Sequence, residues 1–200
     1  IIGNDMGLSI HYNGKLNKAT ELALLINEVK EIAVTKKWRY FIFEDTFEQN
    51  SFSEIVNIEE LYGIMITPPE SEPLCFSFLS NGRMCGILNY KTIQTNQTIE
   101  DELTYQLTTK TQYAGPQIHK EIILLLDYIC KKYLINFECQ DEGQFWETRD
   151  ENLLNLNFKK YTNFIDSFSS SMEMIPVNEN EKIEDYIMRL STITSKRINH

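Results

Sequence analysis

Two hundred residues, 42% hydrophobic and 12% aromatic, supply enough apolar material for one folded domain and exclude disorder of the whole chain. A formal charge of −10 excludes recognition of a nucleic-acid backbone, because counterion release needs clustered Lys and Arg. No apolar run approaches the roughly 18 residues of a membrane span, and the opening IIGNDMGLSIHY lacks the charged-then-apolar pattern of a secretion signal.

Cys75, Cys85, Cys130 and Cys139 show no CxxC spacing and fall within runs that read as buried strand or helix. Such thiols suit a reducing compartment, so a cytoplasmic protein is expected. The chain reads as one domain over residues 1–200. Residues 1–5 read as disordered sequence upstream of a natural start at Met6, and residues 171–200 as a peripheral C-terminal helix.

The first element is a half-buried strand from Leu8 to Asn13, with Leu8, Ile10 and Tyr12 on one face and Ser9, His11 and Asn13 on the other. Gly14 is expected to end it. Asn17 offers an N-cap, and Leu22, Leu25, Ile26, Val29, Ile32 and Ala33 predict a helix to about Lys36. WRYFIFED follows as a strand rich in aromatic and β-branched residues, closing on Glu44-Asp45.

After the polar stretch QNSFSEIVNIEE come three predicted strands, LYGIMIT, PLCFSFLS and RMCGILNYK, the last two joined by the hairpin signal Asn81-Gly82. TIQTNQTIEDEL reads as a polar connector, and LTYQLTTKTQYA as a long strand. Gly115 and Pro116 then open a helix with Ile118, Ile122, Leu125, Ile129 and Tyr133 in one stripe, proline being favourable at the first helical position. NFECQDE and QFWET are expected as two strands about Gly143. Thr148 and Glu151 suggest a capping box before a helix carrying Leu154, Phe158, Tyr161, Ile165 and Phe168. SFSSSM reads as a linker, and a last helix after Asn178 carries Ile183, Ile187, Leu190 and Ile193.

IHYNG and TQYAG each lead through a helix to a strand ending in an acidic pair, with a tyrosine two positions before the glycine. Gly14 and Gly115 lie 101 positions apart (115 − 14). This echo is either an ancient duplication or two βαβ units obeying the same geometry, and the second is the favoured reading. Right-handed crossovers then predict an α+β fold: a mixed β-sheet of about 7–8 strands with helices mainly on one face, its two pseudo-repeated βαβ units joined by a β-hairpin region.

Parallel strands would bring their carboxyl ends to one edge, where open α/β sheets bind ligands. That edge would gather His11, Asn13, Glu44, Asp45, Gln112, Asp141 and Glu142, beneath the start of the second helix with Tyr113 and His119. Histidine with carboxylates can bind a metal or exchange protons. No spacing matches a compact ligand motif, however, and strand-end acids are commonly solvated. His119 borders an apolar flank through Ile123, Leu126 and Cys130, which favours a structural histidine over an anion-side one. Trp146, with Glu138, Gln140 and Glu147, is either an interface anchor among acids or a core residue. Phosphate-loop, GxGxxG, GxSxG and Cys/His catalytic signatures are absent, so no catalytic residue, metal or cofactor is expected.

SIHYNGKL, KTQYAGPQIH and DEGQFWETRDENLL together resemble a family of uncharacterised bacterial proteins with a SIHY-type start, a QYAG-x-x-IH junction and a DEG-x-aromatic-W-E-T segment. The resemblance covers about residues 7–165. It implies a bacterial, cytoplasmic origin and junctions that matter to the fold, and it implies no activity.

The reading that follows is a non-catalytic, acidic, cytoplasmic binding protein, immunity- or antitoxin-like, with a basic protein as its partner and neither nucleic acid nor membrane. The alternative is a small-ligand-binding protein or metal-assisted enzyme using the carboxyl edge, through His11, His119, Asp141 and Glu142. A structural or oligomer-forming role, hinted at by the last helix, stands third.

Overall fold

The computed structural model describes residues 8–57, 59–96, 105–178 and 181–198. In chain order the elements are β1 (Ser9–Leu16), α1 (Leu22–Lys36), β2 (Arg39–Ile42), β3 (Tyr62–Thr67), β4 (Leu74–Phe78), α2 (Ile87–Asn96), β5 (Leu107–Lys110), α3 (Gly115–Tyr133), β6 (Leu134–Asp141), α4 (Phe145–Thr148), α5 (Glu151–Met174) and α6 (Ile183–Ile198). Residues 1–5, and the expected connector beyond Asn96, lie outside the described residues. No helix among the described residues is long and apolar enough to cross a membrane.

The expected mixed sheet of 7–8 strands is not formed. The described strands make two separate three-stranded sheets, β5-β1-β6 and β2-β3-β4, in an α+β fold with six α-helices among the described residues. Every pairing between these strands is antiparallel. Both edges of β1 are occupied, Ile10 lying opposite Thr109 on one side and Asp141 on the other. With neither edge free, β2 cannot return beside β1, and it pairs with β3 instead. The first expected βαβ unit is therefore divided between sheets. The second survives in altered form: β5 and β6 are each antiparallel to β1 and hence parallel to one another, with α3 crossing between them and β1 inserted.

β1 also runs past Gly14. Its register with β6 shifts between Asn13 and Lys15, which marks a bulge. Beyond the bulge the chain reaches the second sheet's return turn: Leu16 N–H donates to Gly82 O at 2.9 Å, and Gly14 O accepts from Met84 N–H at 2.9 Å. Asn81-Gly82 does turn the chain, with Gly82 at φ 79° and its N–H on Leu79 O. The expected return strand is reduced to single bridges at Arg83 and Met84 before α2 begins at Ile87. A short apolar run does not distinguish strand from helix by periodicity.

Four further expectations change. QFWET winds into α4 rather than a strand, because the Asp141 carboxylate collects the amides that follow it. The cap of α5 is Asp150, whose side chain accepts from Asn152 and Leu153 N–H, not the Thr148–Glu151 box. SFSSSM is no linker: it lies in the last turns of α5, where Ser171 is buried. Asn17 does not cap α1 either; a single 3-10 turn at Ala19–Glu21 precedes Leu22.

The main core spans both sheets. Leu22, Leu25, Ile26, Val29 and Ala33 of α1 and Ile122, Leu125, Leu126 and Ile129 of α3 pack with Ile10, Tyr12, Ile64, Ile66, Leu74, Phe76 and Phe78. At the end of the chain α6 rests on α5, with Tyr186 Oη donating to Ile175 O at 2.8 Å and Leu190 buried.

Two glycines at positive φ separate steric need from conformational need. At Gly63 (φ 114°) a Cβ would stand 2.1 Å from Phe76 O, inside the β3–β4 ladder, whereas at Gly115 (φ 79°) a Cβ would meet nothing within 4 Å. Gly63→Ala is expected to cost about 3 kcal/mol or more through backbone displacement, and Gly115→Ala about 1–2 kcal/mol through its left-handed φ alone. Equilibrium urea denaturation of both variants checks the ranking; equal losses would refute it.

Candidate functional site

Antiparallel pairing removes the common carboxyl edge on which the expected cluster depended. Ile10 and Asp141 face one another across β1 and β6, as do His11 and Gln140. Successive strand residues point to opposite faces, so Asp141 lies on the core side of the sheet and His11 on the other. The expected residues consequently divide into separate groups.

On the core side, His119 is wholly buried on the first turns of α3. Its Nδ1 lies 2.6 Å from Thr111 Oγ1, and its Nε2 lies 2.8 Å from Asp141 Oδ1, close in distance but not aligned as a hydrogen bond. Its ring meets Phe158 of α5 edge-on, centroids 5.4 Å apart. Gly143 fills the remaining side: a Cβ there would stand 2.7 Å from His119 Nε2. Asp141 Oδ1 accepts from Gly143 N–H at 2.7 Å, and Oδ2 from Phe145 and Trp146 N–H at 2.7 and 3.0 Å. Burial alone would raise the Asp141 pKa. The His119 contact and the Trp146 and Gly143 amides outweigh it, holding the carboxyl below its usual range. Neither side chain has exposed surface. The pair locks β6, α3, α4 and α5 together, and a substrate has no path to it as the chain is folded.

On the opposite face, Glu142 Oε2 accepts from Ser9 N–H at 2.6 Å, while Glu142 Oε1 lies 3.8 Å from His11 Nε2. His11 Nδ1 lies 2.9 Å from Thr108 Oγ1. Asn13 Nδ2 donates to Glu138 Oε2 at 3.1 Å further along the same face.

The other expected residues stand apart. Glu44 and Asp45 follow β2 in the second sheet and are exposed, Glu44 N–H donating to Leu61 O. Tyr113 is 73% exposed and borders a shallow hollow with Glu70, Ser71, Glu72, Lys110 and Gln112. Trp146 is half-buried, packed on Phe137 with ring centroids 5.7 Å apart and under the Arg149 guanidinium at 5.0 Å.

The sequence reading missed a polar pocket of about 210 Å³ between the loop after β2, the start of β3 and the turn after β4, lined by Phe47, Glu48, Gln49, Ser51, Ser53, Asn57, Tyr62 and Ser80. Phe47 stacks on Tyr62 at 4.4 Å. The Tyr62 hydroxyl donates to Glu60. Burial, that Glu60 bond and the Glu60, Glu48 and Glu44 charges all push its pKa up. A signal for this acidity was present: from Tyr40 to Gly82 the chain has eight Asp and Glu and no Lys or Arg. Most of the net charge of −10 therefore belongs to that segment. Among the described residues no group of three or more His, Cys, Asp or Glu is placed to hold a metal ion.

Comparison with known protein families, with curated proteins and with solved structures finds no match for the chain.

The lowered pKa of Asp141 fixes the sign of one pH effect. A carboxyl with a folded pKa below its unfolded value contributes stability above the ordinary carboxylate range. That contribution is lost as pH falls through about 4 toward the folded value. Asp141→Asn should cost about 3 kcal/mol at pH 7, where a buried partner is removed, and the gap from the parent chain should narrow below about pH 4. Urea midpoints across pH 3–7 measure it; a gap independent of pH would contradict the assignment.

Proposed function

We propose that the chain is a non-catalytic binding protein of the cytoplasm whose partner is a basic protein, of the kind by which an immunity or antitoxin protein neutralises a basic toxin. The observation that carries the reading is the charge segregation between Tyr40 and Gly82, eight acids without a Lys or Arg, in a segment that also forms a pocket lined by Glu48, Phe47 and Tyr62. Segregated charge steers encounter with an oppositely charged surface and raises association rates, an effect that salt screens. Phe47 and Tyr62, stacked on one another and nearly buried, floor the pocket, and Glu48 on its lining, with Glu44 and Glu60 near the Tyr62 hydroxyl, meets the charge of a Lys or Arg. The cytoplasmic part of the reading is supported by four cysteines that are all free. Burial pushes the Cys75 thiol up to about 11 and the Cys85 thiol up to about 12, so both stay protonated and unreactive near neutral pH.

Affinity capture from the native host at physiological salt, with quantitative mass spectrometry, tests the reading. A basic protein should be retained by the parent chain and lost about tenfold or more by the triple variant Glu44→Gln, Glu48→Gln, Glu60→Gln, with Glu184→Gln as a retained control. Recovery of this chain's own copies alone, or equal retention by the triple variant, would overturn it.

A further inference from the structure

We propose that Ser9, His11 and Glu142 form a divalent transition-metal site on the face of the first sheet that points away from the core. Ile10 and Tyr12 of β1 are buried in the core, so the alternation of the strand puts Ser9 and His11 together on the other face. Glu142 follows directly on β6 and folds back over β1. Its Oε2 accepts from Ser9 N–H at 2.6 Å, which presents Oε1 to His11 Nε2 across 3.8 Å.

His11 Nε2 and Glu142 Oε1 face one another as an ion pair when the ring is protonated and as two acceptors when only Nδ1 carries a proton, and in the second state a cation between them satisfies both. Thr108 Oγ1, 2.9 Å from His11 Nδ1, is placed to accept the ring N–H, and that tautomer turns the lone pair of Nε2 toward the carboxylate. Metal–nitrogen and metal–carboxylate bonds of about 2.0–2.2 Å at a tetrahedral angle put their two atoms about 3.4 Å apart, so the 3.8 Å gap closes on one ion by a small side-chain movement. Thr108 then serves as the outer partner that fixes the imidazole, as metal-bound histidines require.

Ser9 supplies the independent indication of a ligand. It is 1% exposed, and its Oγ has no hydrogen-bond partner. A buried hydroxyl left unpaired is costly, and buried polar atoms without partners are few in folded proteins. It shares the face of His11 by strand alternation, and its own amide is held by Glu142, so its hydroxyl belongs to the same patch as the other two side chains. The side chains of His11 and Glu142 are 17% and 22% exposed, which leaves an entrance from solvent and room for water ligands. One imidazole nitrogen, one carboxylate and one hydroxyl suit Zn²⁺, Co²⁺ or Mn²⁺ better than Cu(I), which prefers sulfur. The site is independent of the basic-partner reading, which concerns the second sheet.

The test is titration of the full chain with Zn²⁺ and with Co²⁺ near pH 7 in chelator-free buffer. Calorimetry, the visible absorption of Co²⁺ and ¹⁵N NMR of the imidazole rings follow the binding. Binding of one ion per chain is expected, with the His11 Nε2 resonance displaced, and His11→Gln and Glu142→Gln each weakening binding about tenfold or more. Ser9→Ala should weaken it less, and far-UV circular dichroism reports whether each variant is folded. No binding below about 1 mM, a displaced ring other than His11, or an affinity unchanged in folded His11→Gln would each overturn the site. The ring resonances of the parent chain decide the matter even where a variant fails to fold.

Discussion

The phenol of Tyr12 joins the two sheets, and much of the architecture depends on it. Tyr12 sits in the middle of β1, 1% exposed, and its hydroxyl accepts from Cys75 N–H at 3.0 Å and donates to Cys75 O at 3.2 Å. One side-chain oxygen thus satisfies both backbone polar groups of a β4 residue. Thr109 reinforces the junction by donating to Pro73 O at 3.1 Å, and Glu72 N–H donates to Lys110 O at 2.9 Å. Buried backbone groups must be paired, and here a strand-centre tyrosine and a β5 threonine do so where neither sheet supplies a neighbouring strand. Burial drives the Tyr12 pKa up, so the hydroxyl remains available as a donor.

Charge is handled differently on the two sides of the molecule. Between α1 and α3, Glu28 is bound by Lys132 at 2.8 Å and by the Tyr128 and Tyr133 hydroxyls, and Lys36 meets Glu121 at 3.0 Å. Burial raises the Glu28 pKa, but these donors outweigh it and hold the group below its usual value. Such half-exposed pairs each add little, about 0–1 kcal/mol, and they fix the helix pair more than they stabilise it. Asp141 is the contrasting case, a buried carboxylate whose desolvation is offset by three amides and a histidine. The acids of the Tyr40–Gly82 segment differ again, because the segment contains no cation of its own. Two of them are nonetheless held within the fold, Glu60 by the Tyr62 hydroxyl and Glu72 Oε2 by Lys110 N–H at 3.1 Å.

The candidate residues were visible one at a time, and their grouping was not. His119 and Asp141 were marked with His11 and Glu142 as one possible cluster, yet a single step along β1, from Ile10 to His11, separates the two pairs onto opposite faces. The direction of β6 decides which residue of the acidic pair is buried, and nothing local records that direction. The pocket at Tyr62 escaped for another reason: it is built by Phe47 and Ser80 coming together across a turn and a sheet. The excess of acids in its segment could be counted in the chain, but the pocket itself could not be seen there.

By itself the sequence determined the local matters. Periodicity placed the body of α1, α3, α5 and α6, because an apolar stripe at helical spacing buries itself in any tertiary setting. It also determined the junction at Gly115-Pro116, where the chain takes φ 79° and then a proline at the helix start, and the turn at Asn81-Gly82. The tertiary structure alone decided strand partners, their antiparallel direction, the division into two sheets, and the conversion of QFWET into a helix. Alternation tells which face of a strand is buried, but the pairings along the edges of β1 reach residues between 95 (107 − 12) and 131 (141 − 10) positions away. Those bonds depend on which edges remain free, and that is a property of the assembled chain.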